Sequence, residues 1–457
     1  MLLALTVKNF KSIREARIRF GPFTCFVGHN GVGKSNLFDA IHFLSLLSNN
    51  DVSMATRRVR RTAPDSSSPL DLIYGRNPDL TVGLSADMIV ERRIVDDFGS
   101  EAISSTSLLT YSLELQYDEK SDRLLVASEE LKPVRLGDYK RFVGFDSSTA
   151  FRKSVASASR RRGLFISTTG EKIQLHGDGG SRGQPSPVGK SPLTVIGGTN
   201  TSHYPTVLAA KREMASWRLL HLEPSAMRSP DTKGIPDPHV AASGSHIPAT
   251  LKEVIEHDHH AKNELLFRLR QLTSDVEDLS VSLDEARNQI VLQARLVGVD
   301  NWLMARSLSD GTLRYIALAL MLVDAQDRAL LCIEEPENGI HPSCIPNLVN
   351  LLRDYAVDTD ERVASDNPLR QVIINSHSPE VARQIYPDEI LLVNIAKNRT
   401  SQFSVFRPVE RTWRDVPSEN GVSSPIATNE QALIDFIGGS SISNKLDQLR
   451  FEFGTAQ

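Results

Sequence analysis

The run Gly28-His29-Asn30-Gly31-Val32-Gly33-Lys34-Ser35 has the residue types and spacing that hold a chain of phosphates. Glycines let successive backbone N–H groups turn inward around phosphate oxygens. A helix starting at the end of such a loop adds unpaired donors and the positive end of its dipole. The pattern G-x-x-x-x-G-K-[ST] assigns Lys34 to the β- and γ-phosphates and Ser35 to Mg²⁺. Asn30, Gly31, Val32, Gly33, Lys34, Ser35 and Asn36 are the nucleotide-binding candidates, with ATP and Mg²⁺ as cofactors.

Three further stretches carry groups that suit such a site. Ala329–Glu337, ALLCIEEPE, is an apolar strand ending in carboxylates. A buried strand delivers an acid to the metal at its carboxyl end, so Glu334 is assigned to Mg²⁺ and Glu335 to the attacking water. Standing alone, the same run reads equally well as a solvated acidic turn. Leu308-Ser309-Asp310-Gly311-Thr312 precedes an apolar helix, where Ser309 and the N–H groups after it form an anion site or an ordinary N-cap. Asn375-Ser376-His377-Ser378-Pro379 follows a short apolar run and places His377 at a strand end, either near a γ-phosphate or capping the next helix. The order of the four motifs favours the shared-site reading of each.

The elements that must position them follow from periodicity. Leu2–Val7, Ala16–Phe20 and Phe23–Val27 read as strands, with a turn over Asn9–Ile13. After the loop, Leu37, Ile41, Leu44 and Leu47 fall at helical spacing. Residues 51–77 read as polar loop. Leu80–Glu91, Leu108–Tyr117 and Arg123–Leu131 predict an antiparallel meander. From Gly137 to Tyr204 the chain is rich in Ser, Gly, Arg and Lys and reads as an insertion with mobile loops. Helices are expected over Val207–Ser216, Ala249–Leu272, Gly311–Asp324, Ile345–Tyr355 and Ser378–Ile385. A hairpin is expected over Val276–Asp284 and Gln289–Leu296, and strands over Ala329–Ile333 and Gln371–Ile374.

The phrases VKNFKSI, GHNGVGKSNLFDAI, SLSDGTLRYIALAL, LLCIEEPENGIHP and INSHSP resemble the ABC-type ATPases of the SMC, RecF and OLD group. Their wording is similar in particular to OLD-like "AAA-family" ATPases of bacterial antiphage systems. The resemblance implies an α/β fold: an ABC-type P-loop ATPase head assembled from both chain ends, with an antiparallel β subdomain and a helical or loop insertion. Residues 1–50 and 251–405 would form the head, 51–250 the β-rich lobe, and 406–457 a C-terminal extension. Two heads would sandwich two ATPs in a homodimer or higher homo-oligomer. Ser309, Asp310 and Gly311 would then reach the γ-phosphate of the opposite subunit. Glu337 and Asn338, with Gly339, match the loop that crosses between subunits, Glu334 and Glu335 become the metal-side and catalytic acids, and His377 becomes the γ-phosphate switch. Two departures stand out: Glu334 where SMC relatives usually have Asp, and LSDGT in place of LSGGQ. The family's glutamine loop is not placed. After His377 no acidic cluster of the Toprim type follows, so no nuclease is expected in this chain.

Composition sets limits on the function. The chain has 457 residues, 40% of them hydrophobic and 24% charged, with a net charge of −4. It lacks a global basic field, so any nucleic-acid contact is local. Arg57, Arg58, Arg60 and Arg61, with Arg160, Arg161 and Arg162, form basic runs that touch phosphate backbones or are solvated loops. Glu256-His257-Asp258-His259-His260 points in several directions on a helix and reads as a polar face rather than a metal site. Cys25, Cys332 and Cys344 form neither a zinc spacing nor a disulfide framework. No apolar run approaches the ~18 residues of a membrane span, and a cytoplasmic location is expected. The resemblance implies an ATPase that serves as sensor or scaffold in a defence complex and controls a separate effector, a nuclease or toxin. The alternative is a RecF-like DNA-binding ATPase of repair and recombination. The ATP-binding subunit of a transporter fits the LSDGT and KNFKSI wording badly.

Overall fold

Phe23–Val27 is buried at every position because strands flank it on both sides and helices cover both faces. In a computed structural model it lies in a six-stranded sheet ordered Trp217–Leu220, Leu330–Glu334, Gln371–Ser376, Phe23–Val27, Ile390–Lys397, Gln402–Pro408. Neighbours are parallel except for the last pair. The structure describes residues 1–457 other than 60–67, 158–162, 236–237, 258–259, 274, 325–327, 398–400, 417–426 and 439–457. The sheet draws strands from both ends of the chain, giving the mixed α/β head expected from the sequence.

Alternate residues of these strands enter two apolar layers. Phe26, Cys332 and Ile373 face the helix Lys34–Leu47, whose Leu37, Ile41, Leu44 and Leu47 are buried as their spacing predicts. The Phe26 ring meets Phe20, Phe38 and Phe406 edge-on at 6.2, 6.3 and 5.8 Å, an arrangement that suits the aromatic quadrupole. Cys25, Val27, Ile333 and Ile374 face the helices Asp310–Val323 and Ile345–Tyr355.

The predicted meander is present as Val82–Ile89, Leu108–Asp118 and Arg123–Pro133. It continues through the N-terminal hairpin, Leu2–Phe10 and Ile13–Arg19, so this eight-stranded antiparallel sheet takes strands from both sides of residue 50. Gln371 fastens the two sheets together. Its amide donates to Leu2 O (2.7 Å) and Gly21 O (2.8 Å), and its oxygen accepts from Leu2 N (2.9 Å).

Several elements differ from expectation. Ala249–Leu272 holds two helices, Ile247–His257 and Ala261–Leu272. Ser378–Ile385 yields a single turn, Pro379–Ala382. The supposed loop 51–77 contains the helix Val52–Arg58, capped by Asp51 accepting from Met54 N at 2.7 Å. Within 137–204 the chain forms the helices Tyr139–Val143 and Thr149–Val155 and the hairpin Ile166–Thr169/Lys172–Leu175, which extends the antiparallel sheet. No helix among the described residues is long and apolar enough to cross a membrane.

One buried acid ties that region to the sheet. Glu129 accepts from Val195 N (2.6 Å), Ile196 N (2.8 Å) and the Tyr111 hydroxyl (3.2 Å). Burial nevertheless pushes its carboxyl up from 4.5 to about 7. A folded-state value raised in this way contributes stability that is full below about 4.5 and is lost as pH rises through about 7. Urea unfolding across this window should show the wild type losing stability with rising pH and Glu129→Gln showing a flatter dependence. An unchanged slope in the variant would place the titration elsewhere.

Candidate nucleotide site

Register brings the motifs to one level. Glu334 pairs with Asn375, Asn375 with Phe26, and Ser376 with Val27, so three parallel strands end together. The acidic strand is not beside the loop strand, because Gln371–Ser376 lies between them. At about 4.8 Å per strand, roughly 10 Å separates the acids from the loop. That gap opens as a cleft of about 640 Å³. Asn30, Gly31, Gly33, Lys34, Ser35 and Asn36 line one side, and Glu334, Glu335, Asn338 and Asn375 another.

The loop is shaped for close backbone approach. Gly31 and Gly33 have φ of +79° and +95°, a region that costs glycine little. Gly33 immediately precedes the helix Lys34–Leu47, whose first N–H groups lack i→i−4 partners, and Asn36 N–H donates to Gly33 O at 3.1 Å. A Cβ on Gly28 would stand 2.4 Å from Val393 O. Ser404 Oγ donates to Val32 O (2.7 Å) and lies 2.6 Å from Ser12 Oγ, which accepts from Asn36 Nδ2 at 2.6 Å. The hairpin turn and the strand Gln402–Pro408 thus brace the loop from behind.

Lys34 is buried and donates to the loop's own carbonyls, Gly28 O (2.6 Å) and His29 O (2.9 Å). Burial lowers its ammonium from the ordinary range, while Glu335, Glu337 and Glu334 oppose that shift. A phosphate would offer this cation a stronger acceptor than two neutral carbonyls.

Glu335 has φ of +45°, a left-handed conformation that a non-glycine residue keeps only under constraint. Its N–H donates to Asn375 O at 2.9 Å. Its Oε2 accepts from Asn338 Nδ2 at 2.7 Å, and its Oε1 lies 2.9 Å from His377 Nδ1. Asn375 Nδ2 reaches Glu334 Oε1 at 3.3 Å. The oxygens of Ser35 and Glu334 are the hard donors that Mg²⁺ prefers, so these two residues fit the ion.

The remaining candidates are placed as follows. His377 does not line the cleft and meets it through Glu335. Ser309 caps the helix Asp310–Val323, accepting from Thr312 N at 3.1 Å, while Asp310 pairs with Arg228 at 2.5 Å. Ser309, Asp310 and Gly311 do not line the cleft of their own chain. Glu337 is turned inward: it is 8% exposed and accepts from Ser376 Oγ. Val32 is buried, and its carbonyl accepts from Ser404 Oγ. Arg57 and Arg58 are exposed in the last turn of Val52–Arg58, whereas Arg60, Arg61 and Arg160–Arg162 lie outside the described residues. Asp258 and His259 also lie outside them, and among the described residues no cluster of His, Cys, Asp or Glu could hold a metal.

Sequence reasoning missed two contributors to the cleft. Leu220–Pro224 reaches it because Trp217–Leu220 is an edge strand of the parallel sheet. The β-prone run WRLL was its only signal. Arg314 reaches it from the helix Asp310–Val323.

Comparison with known proteins agrees with this geometry. Residues 1–149 match the family described as an AAA ATPase domain, and residues 208–383 match the AAA domain described as "putative AbiEii toxin, Type IV TA system". The chain therefore carries AAA-type ATPase-domain segments toward both ends, which implies ATP as ligand. The DNA replication and repair protein RecF of Porphyromonas gingivalis is 60% identical over 42 residues, 9% of this chain and 12% of that protein. Structural maintenance of chromosomes protein 1 of Schizosaccharomyces pombe is 56% identical over 45 residues, 9% of this chain and 4% of that one. Each likeness is thus confined to a small fraction of the relative's length. Among solved structures, an SmcHead bound to the C-winged helix domain of ScpA aligns over 90% of this chain and 99% of its own, at 13% identity and a TM-score of 0.49. The SMC head domain from Thermotoga maritima aligns over the same shares at 14% identity and a TM-score of 0.39. Both scores are too low to add to what the strand order says by itself.

Proposed function

We propose that this protein is an ABC-type, SMC- and OLD-like ATPase that hydrolyses ATP with Mg²⁺ and works as an ATP-dependent homodimer. The observation that carries the reading is the meeting of Lys34, Ser35, Glu334 and Glu335 across one cleft. Lys34 and the loop N–H groups bind the phosphates, Ser35 and Glu334 hold Mg²⁺, and Glu335 takes the proton of the attacking water. Mg²⁺ held there would supply positive charge against the phosphates. His377 orients Glu335 and the terminal phosphate. Ser309, Asp310 and Gly311 are left to act on a second copy's nucleotide, since they stay off their own cleft. The nucleotide state then serves as a switch. It controls a separate effector of a defence system; the family description that matches residues 208–383, which names a toxin–antitoxin system, supports only a link to such a system.

The direct test is phosphate release by the purified full chain as a function of protein concentration. Specific activity should rise with concentration, because the site is completed by a second copy. Lys34→Ala should weaken ATP binding by roughly 10- to 100-fold, the value of a hydrogen bond to a charged group. Concentration-independent turnover would overturn the dimer, and undiminished binding in Lys34→Ala would overturn the site.

The local RecF likeness favours a second reading, a DNA-binding ATPase of repair. It calls for ATP-dependent binding to duplex ends or gaps that weakens steeply with salt. Absence of such binding at low salt excludes it.

A further inference from the structure

Arg314 stands in the second turn of the helix that Ser309 caps, and its side chain lines the cleft beside Leu318, Glu334, Glu335 and Asn338. Its Nη1 donates to the backbone carbonyl of Asn338. Its Nε is buried with no hydrogen-bond partner among the described residues. A guanidinium carries five N–H donors in a planar fork that matches phosphate oxygens. A buried donor left without an acceptor is costly, so this one is set for an acceptor that enters the cleft.

Asn338 links that fork to the acid. Its carbonyl holds Arg314, while its side-chain amide donates to Glu335 Oε2 at 2.7 Å. The other oxygen of Glu335 is 2.9 Å from His377 Nδ1. Each carboxylate oxygen therefore already has one partner, and hydrogen bonds to the ionised form make Glu335 a weaker proton acceptor than it would be without them. The helix and the loop also touch through backbone: a Cβ on Gly311 would lie 3.2 Å from Gly339 O, where Gly339 has φ of +78°. A movement of Arg314 is thus transmitted to residues 336–339 at close range.

We infer that Arg314 binds the terminal phosphate of a nucleoside triphosphate in its own subunit and, in doing so, releases the Asn338 carbonyl. The inference rests on the nucleotide reading above. The phosphate that Glu335 must serve lies at the acidic end of the cleft, where Arg314 also enters. When the fork turns to phosphate, the 336–339 loop loses its tether and Asn338 its hold on Glu335. Arg314 thereby distinguishes triphosphate from diphosphate and couples that distinction to the uncapping of the acid.

The experiment is equilibrium binding of fluorescent ATP and ADP analogues to the full chain with Mg²⁺, comparing wild type, Arg314→Ala, Arg314→Lys and Lys34→Ala. Arg314→Ala should lose roughly 10- to 100-fold in affinity for the triphosphate and keep its affinity for the diphosphate. Arg314→Lys keeps the charge without the fork and should fall between wild type and Arg314→Ala. It supplies the same ATP-against-ADP comparison if the alanine variant does not fold. Equal losses for the two nucleotides, or no loss for either, overturn the role of Arg314. The Lys34→Ala control separates the cases: undiminished binding there defeats the nucleotide site itself, whatever Arg314 does.

Discussion

Glu335→Gln should abolish phosphate release while leaving ATP bound and the dimer locked. General-base catalysis contributes about 10²- to 10⁴-fold, and turnover should fall by that much. The geometry makes this substitution a clean one. Glutamine keeps an oxygen to accept from Asn338 Nδ2, now 2.7 Å from the carboxylate. Its amide can donate to His377 Nδ1, now 2.9 Å away, once the imidazole proton sits on the other nitrogen. Both contacts survive, so the backbone at φ of +45° keeps its support. Lost turnover therefore reports lost proton acceptance and not a collapsed loop. Single-turnover phosphate release, with light scattering in ATP and ADP, reads both halves of the expectation. Turnover equal to wild type would remove Glu335 from the chemistry, and a monomer in ATP would remove the dimer.

The elements that carry the candidate motifs were legible because their apolar periodicity is local. The loop strand Phe23–Val27 has the bounds that its apolar run predicts, and the helix after Ser35 buries the predicted Leu37, Ile41, Leu44 and Leu47. What escaped was the assembly. Nothing local in Leu2–Phe10 says that it pairs with Val82–Ile89, or that Gln371 will bond to Leu2 across a separation of 369 residues. Trp217–Leu220 has only four residues, and its strand state is set by pairing with Leu330–Ile333. Ile390–Lys397 and Gln402–Pro408 complete the same sheet and went unrecognised, although Ser404 supports the phosphate loop. Glu337 shows a different limit of the sequence. The resemblance assigns it to a loop that crosses between subunits, and within its own chain the side chain turns inward to Ser376. Which way a turn residue points is decided by the packing of its neighbours, and composition does not carry that.

Gly33→Ala should damage the loop, and its cost has two separable parts. The first is conformational. At φ of +95° an alanine is strained by about 1–2 kcal/mol. The second lies behind the loop. A Cβ there would meet Ser404 Oγ at 2.0 Å and Ser12 Oγ at 2.5 Å. Hydroxyls can rotate away, but these two are engaged, Ser404 with Val32 O and Ser12 with Asn36 Nδ2. Turning them aside forfeits those bonds, each worth about 0.5–1.5 kcal/mol. The sum, about 2–5 kcal/mol, falls on the loop geometry that ATP must find preformed. ATP affinity should drop by at least about 30-fold, since 2 kcal/mol exceeds the 1.4 kcal/mol of a tenfold change. Ser404→Ala alone breaks the bond to Val32 without adding a Cβ at position 33, so it should cost only the second part, and less of it. Calorimetric ATP titration of the two single variants reads the division. If Ser404→Ala matches Gly33→Ala, the left-handed backbone at residue 33 contributes nothing, and the brace behind the loop accounts for the whole loss. If Gly33→Ala binds ATP as the wild type does, the helix-start donors do not hold phosphate in the geometry described.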